Sequence, residues 1–259
     1  SMTAQLKLET RGNIAVLTIS NPPANTWTEA TLTQLKEIVA ELNANKDIYS
    51  LVITGEGEKF FSAGADLNLF ASGDVAVASK MSRLFGDAFE TLAGYRGVSI
   101  AAINGYAMGG GLECALSCDL RVAEVQAVMA LPEAKVGLLP CGCGTQNLPW
   151  LVGEGWAKRM ILCGEQVKAE KALQIGLIEE LVDKGQALER ALAMAEQVGN
   201  QSPSSVRVCK QLIMAARSNP MKQSLPLERE EFVRLFDTQD QKEGVNAFLQ
   251  KRKAQWVNG

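Results

Sequence analysis

Two glutamates, Glu113 and Glu133, carry the side chains best suited to chemistry in this sequence. Glu113 stands among Leu112, Cys114, Ala115 and Leu116, so its carboxyl is expected to be largely buried. A buried carboxyl without a cationic partner holds its proton more tightly and suits proton transfer. The alternative is a capping-box glutamate at the third helical position, bonding back to the turn. Glu133 follows Pro132 at an expected helix start, where a carboxylate can simply complement the helix dipole. Histidine is absent from the 259 residues, which removes Ser-His-Asp and Cys-His catalysis, histidine-ligated metals and imidazole bases. Acid–base chemistry must rest mainly on carboxylates, lysines, tyrosines or thiols.

Glu113 lies three residues after Gly110, on the face of a helix N-terminus. Gly109, Gly110 and Gly111 open that helix, although each helical glycine costs about 0.5–1 kcal/mol relative to alanine. Such a start implies that backbone, not side chain, approaches something closely. Unpaired N–H groups and the positive dipole end would also face that partner. Upstream, residues 98–103 form an apolar run that reads as a buried strand, broken by Asn104 and Gly105. A second stretch repeats the design: an apolar strand at 50–54 leads through GEGEKFFSAGAD to Asp66. Parallel neighbouring strands would bring both loops to one sheet edge, where α/β folds bind ligands. One N–H from each loop could then meet a single oxygen as an oxyanion hole. Taken singly, each motif reads more simply: Gly64 as a turn, Asp66 as a helix cap, the glycines as close packing. Neither has phosphate-loop or dinucleotide spacing.

Around these loops, residues 5–9 and 14–19 predict a β-hairpin about Gly12. Thr26 with Glu29 fits a capping box opening a helix through Leu42. A helical region is expected up to Tyr95, loosely specified around residues 72–74, and short strands near 119–123 and 127–131. Helices are expected over 154–163, 168–175, 186–199 and 204–217, with a strand at 177–182. Strand and helix alternate to about residue 200, which argues for an α/β layered core. Beyond Pro203 the pattern is helical, with apolar faces at Phe232, Leu235 and Phe236, then Val245, Phe248 and Leu249.

Composition narrows the classes. A net charge of −3 gives no support for a general nucleic-acid binder. No apolar stretch reaches membrane-spanning length and no signal peptide is visible, so a cytoplasmic protein is expected. Six cysteines in a chain this size read as reduced thiols rather than a disulfide framework. Cys141-Gly-Cys143 lacks the histidine or second close Cys pair of a metal site. Ser1 ahead of Met2 reads as a cloning scar.

In order along the chain, FFSAGADL, NGYAMGGGLECALSCDLRVA, LPEAKVGLLP, GTQNLPWLVG and EGVNAFLQKRK resemble the enoyl-CoA hydratase/isomerase (crotonase) superfamily, nearly end to end. The resemblance implies an α/β fold: a crotonase-like spiral of ββα units with an acyl-CoA site over residues 1–200. A C-terminal helical oligomerisation region would follow over 201–259, giving a homotrimer or a homohexamer. It implies that the Ala65 and Gly110 N–H groups bind the thioester oxygen and that Glu113 and Glu133 add water. It places substrate or CoA contacts at Ala24, Lys59, Ala63, Asp66, Leu67, Cys141, Phe248 and Lys251. Lys251 would approach the CoA 3′-phosphate, often from a neighbouring subunit; the plain reading of Lys251-Arg252-Lys253 is a solvated tail. No cofactor or metal is implied, because CoA enters as part of the substrate, and neither nucleic acid nor membrane is an expected partner.

Three departures stand out. Cys141 follows Pro140 where a hydratase usually has glycine, Cys143 and Asn147 replace glycine and arginine, and Trp27 replaces a small aliphatic residue. The expected function is a 2-enoyl-CoA hydratase of fatty-acid or related acyl-CoA metabolism. The alternatives are an enoyl-CoA isomerase, a decarboxylase or hydrolase of the same type, or a noncatalytic oligomeric or RNA-binding protein on this scaffold.

Overall fold

Strands β1 (Gln5–Arg11) and β2 (Ile14–Ser20) form the antiparallel hairpin about Gly12 in the computed structural model, which describes residues 5–259. Ser1 and Met2 lie outside the described residues. Helix α1 (Glu29–Ala44) is capped by Thr28 rather than Thr26. The Thr28 hydroxyl accepts from the Thr31 N–H and the Thr31 hydroxyl from the Thr28 N–H, while Thr26 is engaged by Asn21. The third helical position thus needs no glutamate to close the box.

Three consecutive strand pairs then build the site. Strands β3 (Ser50–Gly55) and β4 (Phe60–Ser62) lead through a 3-10 turn, Leu67–Phe70, into α2 (Val75–Ala93). Strands β5 (Val98–Ile103) and β6 (Tyr106–Met108) lead into α3 (Gly110–Leu116). Strands β7 (Leu120–Glu124) and β8 (Val128–Ala130) lead into a second 3-10 turn, Glu133–Val136. In each pair the first strand joins one sheet and the second joins the other. The six-stranded sheet has the order β1-β2-β3-β5-β7-β10 and the four-stranded sheet β4-β6-β8-β9, once β9 (Val167–Lys168) and β10 (Glu180–Val182) are added. This is a spiral of ββα units.

Apolar β3 and β5 pair in parallel and are buried on both faces, as their unbroken hydrophobic runs require. The strands β4 and β6 were not expected: each spans three residues, too short to show a period in sequence. Asn104 explains the break after β5. Its amide donates to the Gly55, Gly57 and Phe60 carbonyls and its oxygen accepts from the Gly55 N–H, tying the β3–β4 turn beneath the β5–β6 turn.

The remaining helices are α4 (Gly144–Leu162), α5 (Ala169–Ile175), α6 (Ala187–Gly199), α7 (Pro203–Ala215), α8 (Met221–Leu235) and α9 (Gln239–Leu249). Helix α4 begins ten residues before the expected 154, and a non-helical Gly153 divides it into two pieces. Alanines 187, 191 and 195 let α6 close on Val52 and Ile100 of the large sheet. Helix α7 is anchored by Lys210, whose ammonium meets Asp119 at 2.8 Å and the Tyr95 and Gly97 carbonyls. Helix α8 buries no residue, and Phe232, Phe236, Phe248 and Leu249 stand exposed. Among the described residues no helix is long and apolar enough to cross a membrane.

Candidate active site

The two small-residue loops leave neighbouring strands at one edge, but from β4 and β6 of the small sheet rather than from β3 and β5. They touch backbone to backbone. A Cβ on Gly64 would lie 2.7 Å from the Gly110 nitrogen and 2.8 Å from the Met108 oxygen, so only glycine allows the approach. Gly64 also has φ +88°, a left-handed conformation that L side chains disfavour. Trp27 donates its backbone N–H to the Gly64 carbonyl at 2.7 Å and forms an isolated parallel bridge with Ala65. Neither the Ala65 nor the Gly110 N–H meets an acceptor within the described chain. Gly110 is the first residue of α3, so its N–H is one of the unpaired groups of a helix start.

The same short helix carries Glu113 at its fourth position, one beyond the capping-box site. Its carboxyl turns away from its own helix start and accepts the Gly144 N–H at 2.8 Å. Positions for a Cβ on Gly142 and Gly144 lie 3.1 Å and 2.9 Å from Glu113 atoms, so the CGCG run packs bare backbone on this carboxyl. Burial pushes the Glu113 carboxyl up to about 7, the Gly144 N–H opposes the rise, and nearby Glu133 adds to it. Arg121 steadies the far end of α3, donating to the Ala115 carbonyl and to the Cys118 carbonyl just beyond the helix.

Glu133 begins the four-residue 3-10 turn after β8, not the longer helix expected there. Its carboxyl lies over Gly109, where a Cβ would come within 3.4 Å of Oε2. Gly109 has φ +54° and ψ −125°, a region open to glycine alone. Burial also raises the Glu133 pKa, and its buried Oε1 has no hydrogen-bond partner among the described residues.

Both glutamates face one cavity of about 810 Å³, which Ala65 and Gly110 also line. Ala63, Leu67 and Cys141 belong to this wall. A largely apolar arm runs on between α2 and the 3-10 turn, past Phe70, Val75, Ala78, Val136 and Leu139, none of which the sequence singled out. The five other residues expected as contacts do not line this cavity. Ala24 supports the wall through its carbonyl, which accepts the Ala63 N–H at 2.9 Å. Asp66 caps the first 3-10 turn, accepting from the Asn68 N–H, and Lys59 is exposed beside the Phe60 ring. Phe248 and Lys251 are exposed at the end of α9 and do not line the cavity of their own chain.

The family model described as enoyl-CoA hydratase/isomerase matches residues 9–259. The chain belongs to the enoyl-CoA hydratase/isomerase family. It is 36% identical to the short-chain-enoyl-CoA hydratase of Clostridium acetobutylicum, over 95% of each chain. Among solved structures, DspI of Pseudomonas aeruginosa superposes with a TM-score of 0.96 at 61% identity, covering 99% of this chain and 98% of that one. The enoyl-CoA hydratase from Bacillus anthracis superposes with a TM-score of 0.95 at 30% identity, covering 98% and 99%.

As a member of the enoyl-CoA hydratase/isomerase family, this chain accommodates its unusual residues in different ways. Trp27 turns its indole into the core, fully buried edge-on against Phe89 at 5.6 Å between ring centroids. Phe89 in turn meets Phe85, whose ring would touch a Cβ on Gly110 at 2.8 Å, so aromatic packing supports the loop from beneath. Cys141 adopts an ordinary backbone conformation and stays at the cavity rim, where loss of solvent, then Glu113 and Glu133, push its thiol up to about 11. The strain lies instead at Cys143, with φ +74° and ψ +2°, where glycine is the easy choice. Asn147 faces Arg217 of the region after α7, which reaches its Oδ1 at 3.4 Å.

Proposed function

We propose that this chain is a 2-enoyl-CoA hydratase of fatty-acid or related acyl-CoA metabolism, with the cavity between α2, α3 and the Glu133 turn as its site. The observation that carries the reading is the convergence of two raised-pKa carboxyls with the unpaired N–H groups of Ala65 and Gly110 on one cavity. In this reading the thioester oxygen sits between the two N–H donors. Charge that collects there as water attacks Cβ is stabilised by fixed dipoles; losing one such donor typically costs about 3–4 kcal/mol. Glu113 takes a proton as the water oxygen bonds to Cβ, and Glu133 delivers a proton to Cα. The proton then returns from Glu113 to Glu133, and both carboxyls regain their starting state. Unpartnered Glu133 Oε1 suits the group that must meet substrate, while Glu113, held by Gly144, suits the group that must stay placed.

The reaction so drawn needs no metal or redox cofactor, and CoA arrives with the substrate. The exposed apolar residues of α8 and α9 favour a homotrimer or homohexamer, in which Phe248 and Lys251 would reach a neighbour's CoA. Six free cysteines suit a reducing compartment such as the cytoplasm.

The experiment measures crotonyl-CoA hydration and 3-hexenoyl-CoA isomerisation in the parent and in Glu113→Gln and Glu133→Gln. Each variant is expected to lose roughly 10²–10⁴-fold in hydration, with acetoacetyl-CoA binding changed far less. Parental hydration in Glu113→Gln would remove the two-carboxylate mechanism. Poor crotonyl-CoA turnover with efficient isomerisation would move the chain to the isomerases.

A further inference from the structure

At the opposite end of the large sheet, where β3 and β5 begin, a second cavity of about 290 Å³ lies under α7. It shares no lining residue with the cavity of Glu113 and Glu133. Its wall carries three cations: Lys46 after α1, Arg96 before β5, and Arg207 on α7. None of the three forms an ion pair among the described residues, although the chain holds 29 acidic against 26 basic side chains. Among the described residues the Arg96 guanidinium reaches only the Asn43 carbonyl, at 3.3 Å, and the Arg207 guanidinium has no hydrogen-bond partner. Burial and the neighbouring Arg96 lower the Arg207 pKa, against a smaller opposing effect of Glu231. Arg96 and Arg207 thus line one cavity, at the seam between the sheet and α7.

Acidic groups do stand about this wall: Glu231 acts on Arg207, Asp47 and Asp240 act on Tyr49, and the carboxyl end of Gly259 lies in the lining. Yet none of them forms an ion pair with the three cations among the described residues. Both Asp240 oxygens are taken by the Val257 and Asn258 N–H groups at 2.8 Å. Tyr95, fully buried in the same wall, has a hydroxyl without a partner among the described residues. At this size the cavity lies at or below the ~300–1,000 Å³ of pockets for drug-sized ligands. It suits a compact oxyanion, and paired arginines match phosphate oxygens with two-pronged hydrogen bonds.

We propose that this seam binds a phosphate group, held between Arg96 and Arg207 with Lys46 beside them. The bound anion replaces repulsion with attraction on both sides of the seam, so it fastens α7, already anchored by Lys210, to the sheet.

The test follows thermal unfolding and calorimetric titration with inorganic phosphate, with sodium chloride at matched ionic strength as the control. A saturable rise in melting temperature of roughly 2–4 °C is expected with phosphate alone. In Arg207→Gln the rise should vanish, and without phosphate this variant should melt no lower than the parent, because a repulsion has gone. Were Arg207→Gln not to fold, exposed Arg96→Gln carries the same test. Glycerol 3-phosphate forms a second arm: tighter binding than inorganic phosphate assigns the site to a phosphomonoester, weaker binding to the free anion. An effect that chloride reproduces, or one that persists in both variants, overturns the site. Acetoacetyl-CoA binding should be unchanged in either variant, so the outcome is independent of the proposed hydratase activity.

Discussion

Glu113 Oε2 accepts the Gly144 N–H at 2.8 Å, linking the helix of the glycine loop to the start of α4. The bond favours the charged carboxylate, yet burial outweighs it and the group rises from 4.5 to about 7. Folding therefore favours the protonated form. The stability this group contributes is full below about pH 4.5 and is lost as pH climbs through about 7. Glu113→Gln keeps the acceptor for Gly144 and removes the titration. Between pH 4.5 and 8 the variant should gain on the parent by on the order of 2–3 kcal/mol. Denaturant unfolding at pH 5 and pH 8 measures this, and equal pH slopes in the two proteins would contradict it.

Gly64→Ala should destroy the contact between the two loops. The added methyl would press on the Gly110 nitrogen and the Met108 oxygen from a left-handed backbone. Loss of one placed donor is worth about 10²–10³ in kcat, and a fall of at least that size in hydration is expected. Turnover by a protein with native circular dichroism is the measurement; a fall under tenfold would show that the loops need not touch.

Gly109→Ala meets a different obstacle. Its φ of +54° with ψ of −125° excludes an alanine, and the methyl would contact the Glu133 carboxyl. Displacing Glu133 should remove exchange of the α-proton on a bound substrate analogue more than it weakens binding. Deuterium exchange into acetoacetyl-CoA or butyryl-CoA, compared with its dissociation constant, separates the two effects.

Cys143→Gly should stabilise the chain. A left-handed backbone costs a non-glycine residue roughly 1–2 kcal/mol, offset in part by packing that the half-buried side chain gives to the core. A net gain of about 0.5–1 kcal/mol is expected from urea unfolding, with the hydration rate within twofold of the parent. A loss of stability would mean that thiol packing outweighs the strain.

Phe248→Asp tests the exposed face of α9. Phe248 is 82% exposed in the single chain, an unusual position for so large an apolar ring unless it is covered in an assembly. Light scattering should show the parent as a trimer or hexamer and the variant as smaller species. A parent that remains monomeric at micromolar concentration would leave Lys251 without a neighbour's site to complete.

Several determinants of the fold were already present in the sequence by itself. The unbroken apolar runs of β3 and β5 required strands buried on both faces, and the alternation of strand and helix required layers. Burial of Glu113 followed from its apolar neighbours, and the glycine runs showed where backbone must come close. Resemblance to a family supplied the pairing of Glu113 with Glu133, which lie far apart in sequence. Tertiary structure decided the rest. It placed the loops on β4 and β6, because three-residue strands show no period and exist only through pairing. It turned Trp27 into the core, since an indole beside Phe89 is buried by partners distant along the chain. It aimed Glu113 at Gly144 rather than at its own helix start, because bare glycine backbone from α4 leaves room for the carboxyl there. Local sequence sets which backbone can bend and which side chains leave water; which groups then meet depends on how the spiral closes.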